Sequence, residues 1–235
     1  MPAAIAPPPH PALRGLGLPA ERVARWAALG GWPVWPAGGA ALALAETFDD
    51  AALAACLAAP HRGGIETAGL DDAAVVAAVR RAEPCAVFLS LGTARAARLP
   101  VAPLVAAAAA ARGVPAERGH DVELALHEAL SNAVLHGNLQ VDGLSTLSLD
   151  ALGRFGDAVD SRMADARYGG RRVEVLVRLE PGTLVLEVAD QGPGFAPAAR
   201  AAAGPSGRGL ELIAAMTDGY VLLDGGRRIR MRVAL

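Results

Sequence analysis

Residues 123–138 read Glu123-Leu-Ala-Leu-His-Glu128-Ala-Leu-Ser-Asn132-Ala-Val-Leu-His136-Gly137-Asn138. Glu128, Asn132 and His136 recur every four residues, which lines them along one stripe of a helix. Leu124, Leu126, Ala129, Leu130 and Ala133 fall on the other faces and suit packing under a sheet. The pattern predicts a helix from Glu117 to Val134, ended by Gly137 in the manner of a C-terminal glycine. On the polar stripe an amide oxygen is a hard ligand suited to Mg²⁺, which prefers oxygen donors and keeps several waters. A carboxylate one turn earlier can orient or deprotonate a nucleophile or a metal-bound water. Taken alone, the stripe reads equally well as a solvated polar face.

Two further stretches lie downstream. Val188-Ala189-Asp190-Gln191-Gly192-Pro193-Gly194-Phe195 directly follows a predicted strand. An Asp at a strand end can accept a hydrogen bond from an adenine amino group, a contact that discriminates among bases. Gly192 and Gly194 permit a tight turn and close approach of backbone to ligand. In isolation this is also an ordinary Asp-x-Gly turn. Gly204-Pro-Ser-Gly207-Arg208-Gly209-Leu210-Glu-Leu-Ile213 is a glycine-rich loop opening a helix. Backbone N–H groups at a helix N-terminus bind phosphates without help from lysine. Arg208 offers a charge-assisted contact beside them. Alone, this is a flexible loop before a glycine-started helix.

In this order and at these spacings the three stretches resemble the asparagine box and two glycine boxes of the GHKL (Bergerat-fold) ATPases. That family includes histidine kinases, gyrase-type ATPases, Hsp90-type chaperones, MutL-type repair proteins and anti-sigma serine kinases. The resemblance covers residues 93–235 and implies an α+β fold, a two-layer α/β sandwich with a largely antiparallel sheet. It implies ATP and Mg²⁺ as cofactors, with Asn132 coordinating Mg²⁺ and Glu128 as the catalytic base or water-orienting group. Asp190 would bind adenine, Gly192 and Gly194 would shape the adenine pocket and lid hinge, and His136 would join the nucleotide site. Gly207, Arg208 and Gly209 would face the phosphates. Within the family, HEALSNAVLHGN and the short lid from Ala196 to Ser206 are especially similar to the anti-sigma serine-kinase branch. That branch implies a protein-serine kinase phosphorylating an anti-sigma-factor antagonist, with the antagonist or a sigma factor as partner, and it allows a homodimer.

Two other outputs fit the same fold. One is an ATP-sensing module that sequesters a signalling partner without phosphotransfer; the other is a histidine-kinase-like component. The second needs an acceptor His on a dimerising helical hairpin, whereas His10 lies in a Pro-rich tail and His61 in a loop. His127 fits the asparagine box of one histidine-kinase subgroup and keeps that route open.

Around this core, Pro and Ala dominate residues 1–18, which are expected to be disordered. Residues 19–92 read as a small Ala-rich α/β segment with helices at Glu21–Leu29, Asp49–Leu57 and Asp71–Arg81 and a buried strand at Cys85–Leu91. The rhythm is similar to that of a receiver domain. The early acidic pair and the later lysine of a receiver are missing, so no phosphoacceptor is carried over. Further helices are expected at Pro103–Arg112 and Gly209–Met216. Strands are expected at Arg172–Leu179, Thr183–Val188, Tyr220–Leu223 and Ile229–Val233. The stretch 139–170 is longer than the family's usual link, and Leu152, Phe155, Val159 and Met163 recur there at helical spacing, predicting an extra helix packed on its own domain, with a partner-docking helix as the alternative. Gly225-Gly226-Arg227-Arg228 stands where relatives often carry small hydroxyl residues and reads as a solvated hairpin tip.

Composition narrows the chemistry further. All 22 basic residues are Arg. The Walker-type loop, the protein-kinase strand lysine and pyridoxal Schiff bases all need a lysine and are excluded as normally built. A formal net charge of −2 argues against a nucleic-acid partner held by phosphate neutralisation. No apolar run is long enough for a membrane span, and no signal peptide is evident, so a cytoplasmic protein is expected. Cys56 and Cys85 sit in apolar stretches and read as buried thiols.

Overall fold

A computed structural model describes residues 10–35, 40–143, 148–195 and 209–235. Its centre is one eight-stranded sheet in the order β1-β2-β3-β4-β5-β6-β8-β7. β1 (Ala12–Leu16), β2 (Ala41–Ala45), β3 (Gly63–Glu66) and β4 (Val87–Gly92) run parallel. β5 (Arg172–Glu180), β6 (Thr183–Ala189), β8 (Arg228–Ala234) and β7 (Gly219–Leu223) continue it antiparallel from β4. The fold is α+β, as expected. The N-terminal segment does more than precede the sandwich: β4 pairs with β3 on one side and β5 on the other, so the sheet is continuous.

Strand side chains alternate between two cores. Leu13, Leu42, Leu44, Ile65 and Phe88 point to a face covered by α1 (Ala20–Gly30) and α3 (Asp72–Ala82), where Trp26 and Trp32 are buried. Ala43, Val87, Leu89, Val175 and Leu186 point to the other, under α2 (Asp50–Leu57), α5 (Val101–Ala110), α6 (Gly119–Ser131) and α9 (Gly209–Met216). The short α4 (Thr93–Ala96) follows β4 directly. Asp49 and Asp71 cap α2 and α3 by accepting from the backbone N–H groups of Ala52 and Ala74. Cys56 and Cys85 are free and buried, and burial pushes both thiols up to about 12. Among the described residues no helix is long and apolar enough to cross a membrane.

Three expectations need correction. Residues 1–18 are not wholly a disordered tail: Ala12–Leu16 is an edge strand in register with Ala41–Ala45, and Leu13 is fully buried. Side-chain burial and main-chain pairing override the local Pro/Ala bias there. The receiver likeness also fails. Doubly wound sheets of that kind place the second strand outside the first, whereas β1 to β4 lie side by side in chain order. Finally, the helix begun by α6 does not end at Gly137 but passes into a π-helical turn, Asn132–Asn138.

The insertion forms α7 (Leu149–Ala164) and α8 (Ala166–Gly169). Phe155, Val159 and Met163 pack against the main core, while Leu152 stays exposed. Ser148 caps α7 by accepting from the Ala151 N–H.

Candidate functional site

The π turn is the first local feature of the site. Leu139 N donates to the Val134 carbonyl, a five-residue reach that widens the helix one turn after Glu128. The four-residue stripe is therefore broken. Glu128 and Asn132 stay together, half-buried, while His136 is exposed and its Nδ1 donates to the Val141 carbonyl at 2.8 Å. Among the described residues neither the Glu128 carboxylate nor the Asn132 amide makes a hydrogen bond or ion pair. The first residue of α9 lies against both: a Cβ on Gly209 would stand 3.0 Å from Glu128 Oε2 and 3.1 Å from Asn132 Nδ2.

Asp190, at the end of β6, faces the same space. Its carboxylate accepts from Gly192 N at 2.7 Å, and its own N–H donates to the Arg227 carbonyl at 2.9 Å. Burial raises the Asp190 carboxyl to about 6, against the opposing pull of the Gly192 N–H and of Arg227 and Arg171. Two glycines make room for it. A Cβ on Gly137 would meet Asp190 Cγ at 2.5 Å, and one on Gly192 would meet the Gly137 carbonyl oxygen at 2.1 Å. Gly137 thus serves the site through close approach to Asp190 and not as a helix stop. Gly194 has φ +89° and lies against the Gly225 carbonyl, which ties the turn after Asp190 to the β7–β8 hairpin.

These groups open onto one cavity of about 710 Å³. Glu128, Asn132, His136, Asp190, Gly194 and Gly209 all line it. Gly207, Arg208 and the expected lid from Ala196 to Ser206 lie outside the described residues. Arg227 and Arg228 are more than a solvated tip. Both line the cavity, and Arg228 joins Arg178 and Arg230 around the buried Glu187. Burial would raise that carboxyl, but hydrogen bonds from Arg178 and Arg230 outweigh it and hold Glu187 low.

Sequence reading assigned no role to Asn138. It is fully buried, and its Nδ2 donates to Thr93 Oγ1 at 2.8 Å and to the Arg172 carbonyl at 2.9 Å. Its Oδ1 accepts from Gln191 N at 2.8 Å. One side chain thus ties the end of the π turn to β5, to the start of α4 and to the residue after Asp190. An Asn just past a glycine ordinarily signals a helix end or turn, so local pattern carried no hint of a buried clamp.

A family model for the histidine kinase-like ATPase domain matches residues 92–233, more than half of the chain. The chain belongs to the histidine kinase-like ATPase family. A search among curated proteins found no match. In this kinase-like ATPase the matched region is an ATP-binding domain, and its cavity fits that ligand. Its volume lies in the range of pockets that enclose small organic ligands. The Asp190 carboxylate stands at one side, and two oxygen-bearing side chains, unpaired among the described residues, stand beside the start of an eight-residue helix. The donor set also suits Mg²⁺. Among the described residues no cluster of three His, Cys, Asp or Glu could cage a metal. An ion that takes one protein oxygen and completes its shell from phosphates and water needs no such cage.

Proposed function

We propose that this histidine kinase-like ATPase is a Mg²⁺- and ATP-dependent protein-serine kinase whose substrate is an anti-sigma-factor antagonist. The observation that carries the reading is the pair Glu128 and Asn132, both intact, both on the cavity wall and both without a hydrogen-bond partner among the described residues. A degenerate binding module has no need to keep a carboxylate and an amide side by side on the cavity wall. Asn132 would hold Mg²⁺ through its amide oxygen, the ion supplying charge neutralisation along the phosphates when bound. Glu128 would accept a hydrogen bond from the incoming serine hydroxyl and hold it in line with the phosphorus. Asp190 would accept from the adenine amino group and fix the other end of the nucleotide. The likeness of HEALSNAVLHGN to the anti-sigma serine kinases supports the choice of substrate. A sigma factor or its antagonist as partner, a cytoplasmic setting and a homodimer belong to the same proposal.

The test is phosphate transfer from γ-labelled ATP with Mg²⁺, using pure protein, host lysate and the variants Glu128→Ala and Asn132→Ala. An acid-stable label on a small partner protein, lost in both variants, is the expected result. An acid-labile, alkali-stable label on the protein itself would indicate histidine phosphorylation instead. Nucleotide binding without any transfer would leave a sequestering module.

The proton on Asp190 gives a second expectation. The carboxylate accepts from the adenine amino group more strongly than the neutral acid does, so affinity is highest above the raised value and falls below it. Adenosine, which carries no titrating phosphate, is expected to bind progressively more weakly as the pH falls through about 6. Chemical-shift titration across that range measures it. A flat profile would remove Asp190 from the adenine contact.

A further inference from the structure

A second, smaller cavity of about 190 Å³ lies at the carboxyl ends of β3 and β4, where the parallel strands meet the antiparallel half of the sheet. It is lined by Glu66, Arg95, Arg98 and Arg172 together with Gly92 and Gly170. Arg172 is more than nine-tenths buried. Its Nη2 donates to the Glu66 carbonyl at 2.7 Å and to Ser90, but its Nη1 makes no hydrogen bond among the described residues and only approaches Glu66 Oε2 at 3.9 Å. Arg95 reaches Glu66 Oε1 at 3.6 Å without a hydrogen bond, and the exposed Arg98 has no partner among the described residues. Glu66 itself is committed to Gly92 N at 2.6 Å. Glu174, which reaches Ser90, is already held at two points by Arg81. Three guanidiniums therefore share one carboxylate around an open space, leaving two positive charges in excess.

We infer that this cavity is a binding site for a small phosphate-bearing ligand. Guanidinium forks match phosphate oxygens in geometry and charge, and a phosphate monoester carries about −1.5 to −2 charges near neutrality. That charge balances the excess, and a buried arginine with an idle donor is the arrangement that an anion would complete. At about 190 Å³ the space is smaller than the pockets that enclose drug-sized ligands and suits a small anion. The carboxyl ends of parallel strands are also where α/β sheets commonly take ligands. The site lies close to the nucleotide cavity: Arg172 N donates to Gln191 Oε1 at 2.8 Å, next to Asp190, and Asn138 bonds both the Arg172 carbonyl and Gln191 N. It does not depend on the serine-kinase reading.

The test titrates inorganic phosphate and glycerol 3-phosphate by calorimetry into the full chain, with and without saturating Mg·ADP. Arg95→Ala and Arg98→Ala are the variants, and Arg154→Ala, which removes an exposed charge on α7, is the control. Saturable binding that persists with ADP, weakened at least about tenfold by each cavity variant and unchanged by the control, is expected. Tighter binding of the inorganic ion would indicate free phosphate as the ligand, and tighter binding of the ester a small phosphorylated metabolite. No binding of either anion overturns the site. Binding that ignores both cavity variants and disappears with ADP also overturns it, since the anion then occupies the nucleotide cavity. ADP binding in the same titrations reports on the nucleotide site independently.

Discussion

Gly192→Ala is expected to weaken ADP binding by about a hundredfold while the protein stays folded. The added Cβ would stand 2.1 Å from the Gly137 carbonyl oxygen and 2.9 Å from Asp190 Oδ1. No real Cβ tolerates the first distance, and the atom in its way is backbone held inside the π turn. The turn after β6 must therefore move outward, and the hydrogen bond from Gly192 N to the Asp190 carboxylate goes with it. A hydrogen bond to a charged group is worth about 1.5–3 kcal/mol, or roughly ten- to a hundredfold in affinity, and misplacing Asp190 forfeits its contact with adenine. Gly192 is buried and the clash is with backbone, so the midpoint of thermal unfolding should also fall by several degrees, and the affinity is read at a temperature where the variant is folded. Gly153→Ala on α7, where an added Cβ meets nothing within 4 Å, supplies the neutral comparison. Parent-like ADP affinity in Gly192→Ala would show that the Gly137–Asp190 contact does not shape the site.

The same contact shows which parts of the molecule could be read beforehand. The placement of Glu128 and Asn132 on one helix face and of Asp190 at a strand end was readable because each follows local rules, a four-residue repeat and an acid closing an alternating strand. The helix Gly209–Met216 and the β5–β6 hairpin followed from periodicity for the same reason. The strand Ala41–Ala45 did not, because alanine carries little strand preference and all five residues are buried, which leaves no alternation. β1 was hidden by its Pro/Ala surroundings, and only pairing with β2 makes it a strand. Arg228 looked like a hairpin tip because its partner Glu187 is 41 positions away in sequence. The second cavity was invisible for the same reason: Glu66, Arg95 and Arg172 are brought together only by the pairing of β4 with its two neighbours. Contacts within one element were legible, and those that depend on strand order were not.

Asn138→Ala is expected to destabilise the protein by about 3–5 kcal/mol, the largest stability effect foreseen for a single residue near the site. The substitution strips Gln191 N of its acceptor and the Arg172 carbonyl of a donor, while the Thr93 hydroxyl keeps its bond to the Arg171 carbonyl. Asn138 is fully buried, so the two groups lose their partner at a junction that its side chain fills. Each buried group left unsatisfied costs roughly 1–3 kcal/mol, and the lost side chain adds a small cavity. For a chain of this length the midpoint of thermal unfolding should fall by about 10 °C or more. Asn138→Asp separates hydrogen bonding from shape. The isosteric carboxylate still accepts from Gln191 N but turns an oxygen toward the Arg172 carbonyl, so it should be destabilised about as much as the alanine variant. Rescue by aspartate would mean that shape and the bond from Gln191 N suffice, and that the two bonds donated by Nδ2 carry little. Because Gln191 adjoins Asp190, both variants should also lose ADP affinity at temperatures where they remain folded. Intact affinity there would show that the clamp holds the fold together without holding the adenine contact in place.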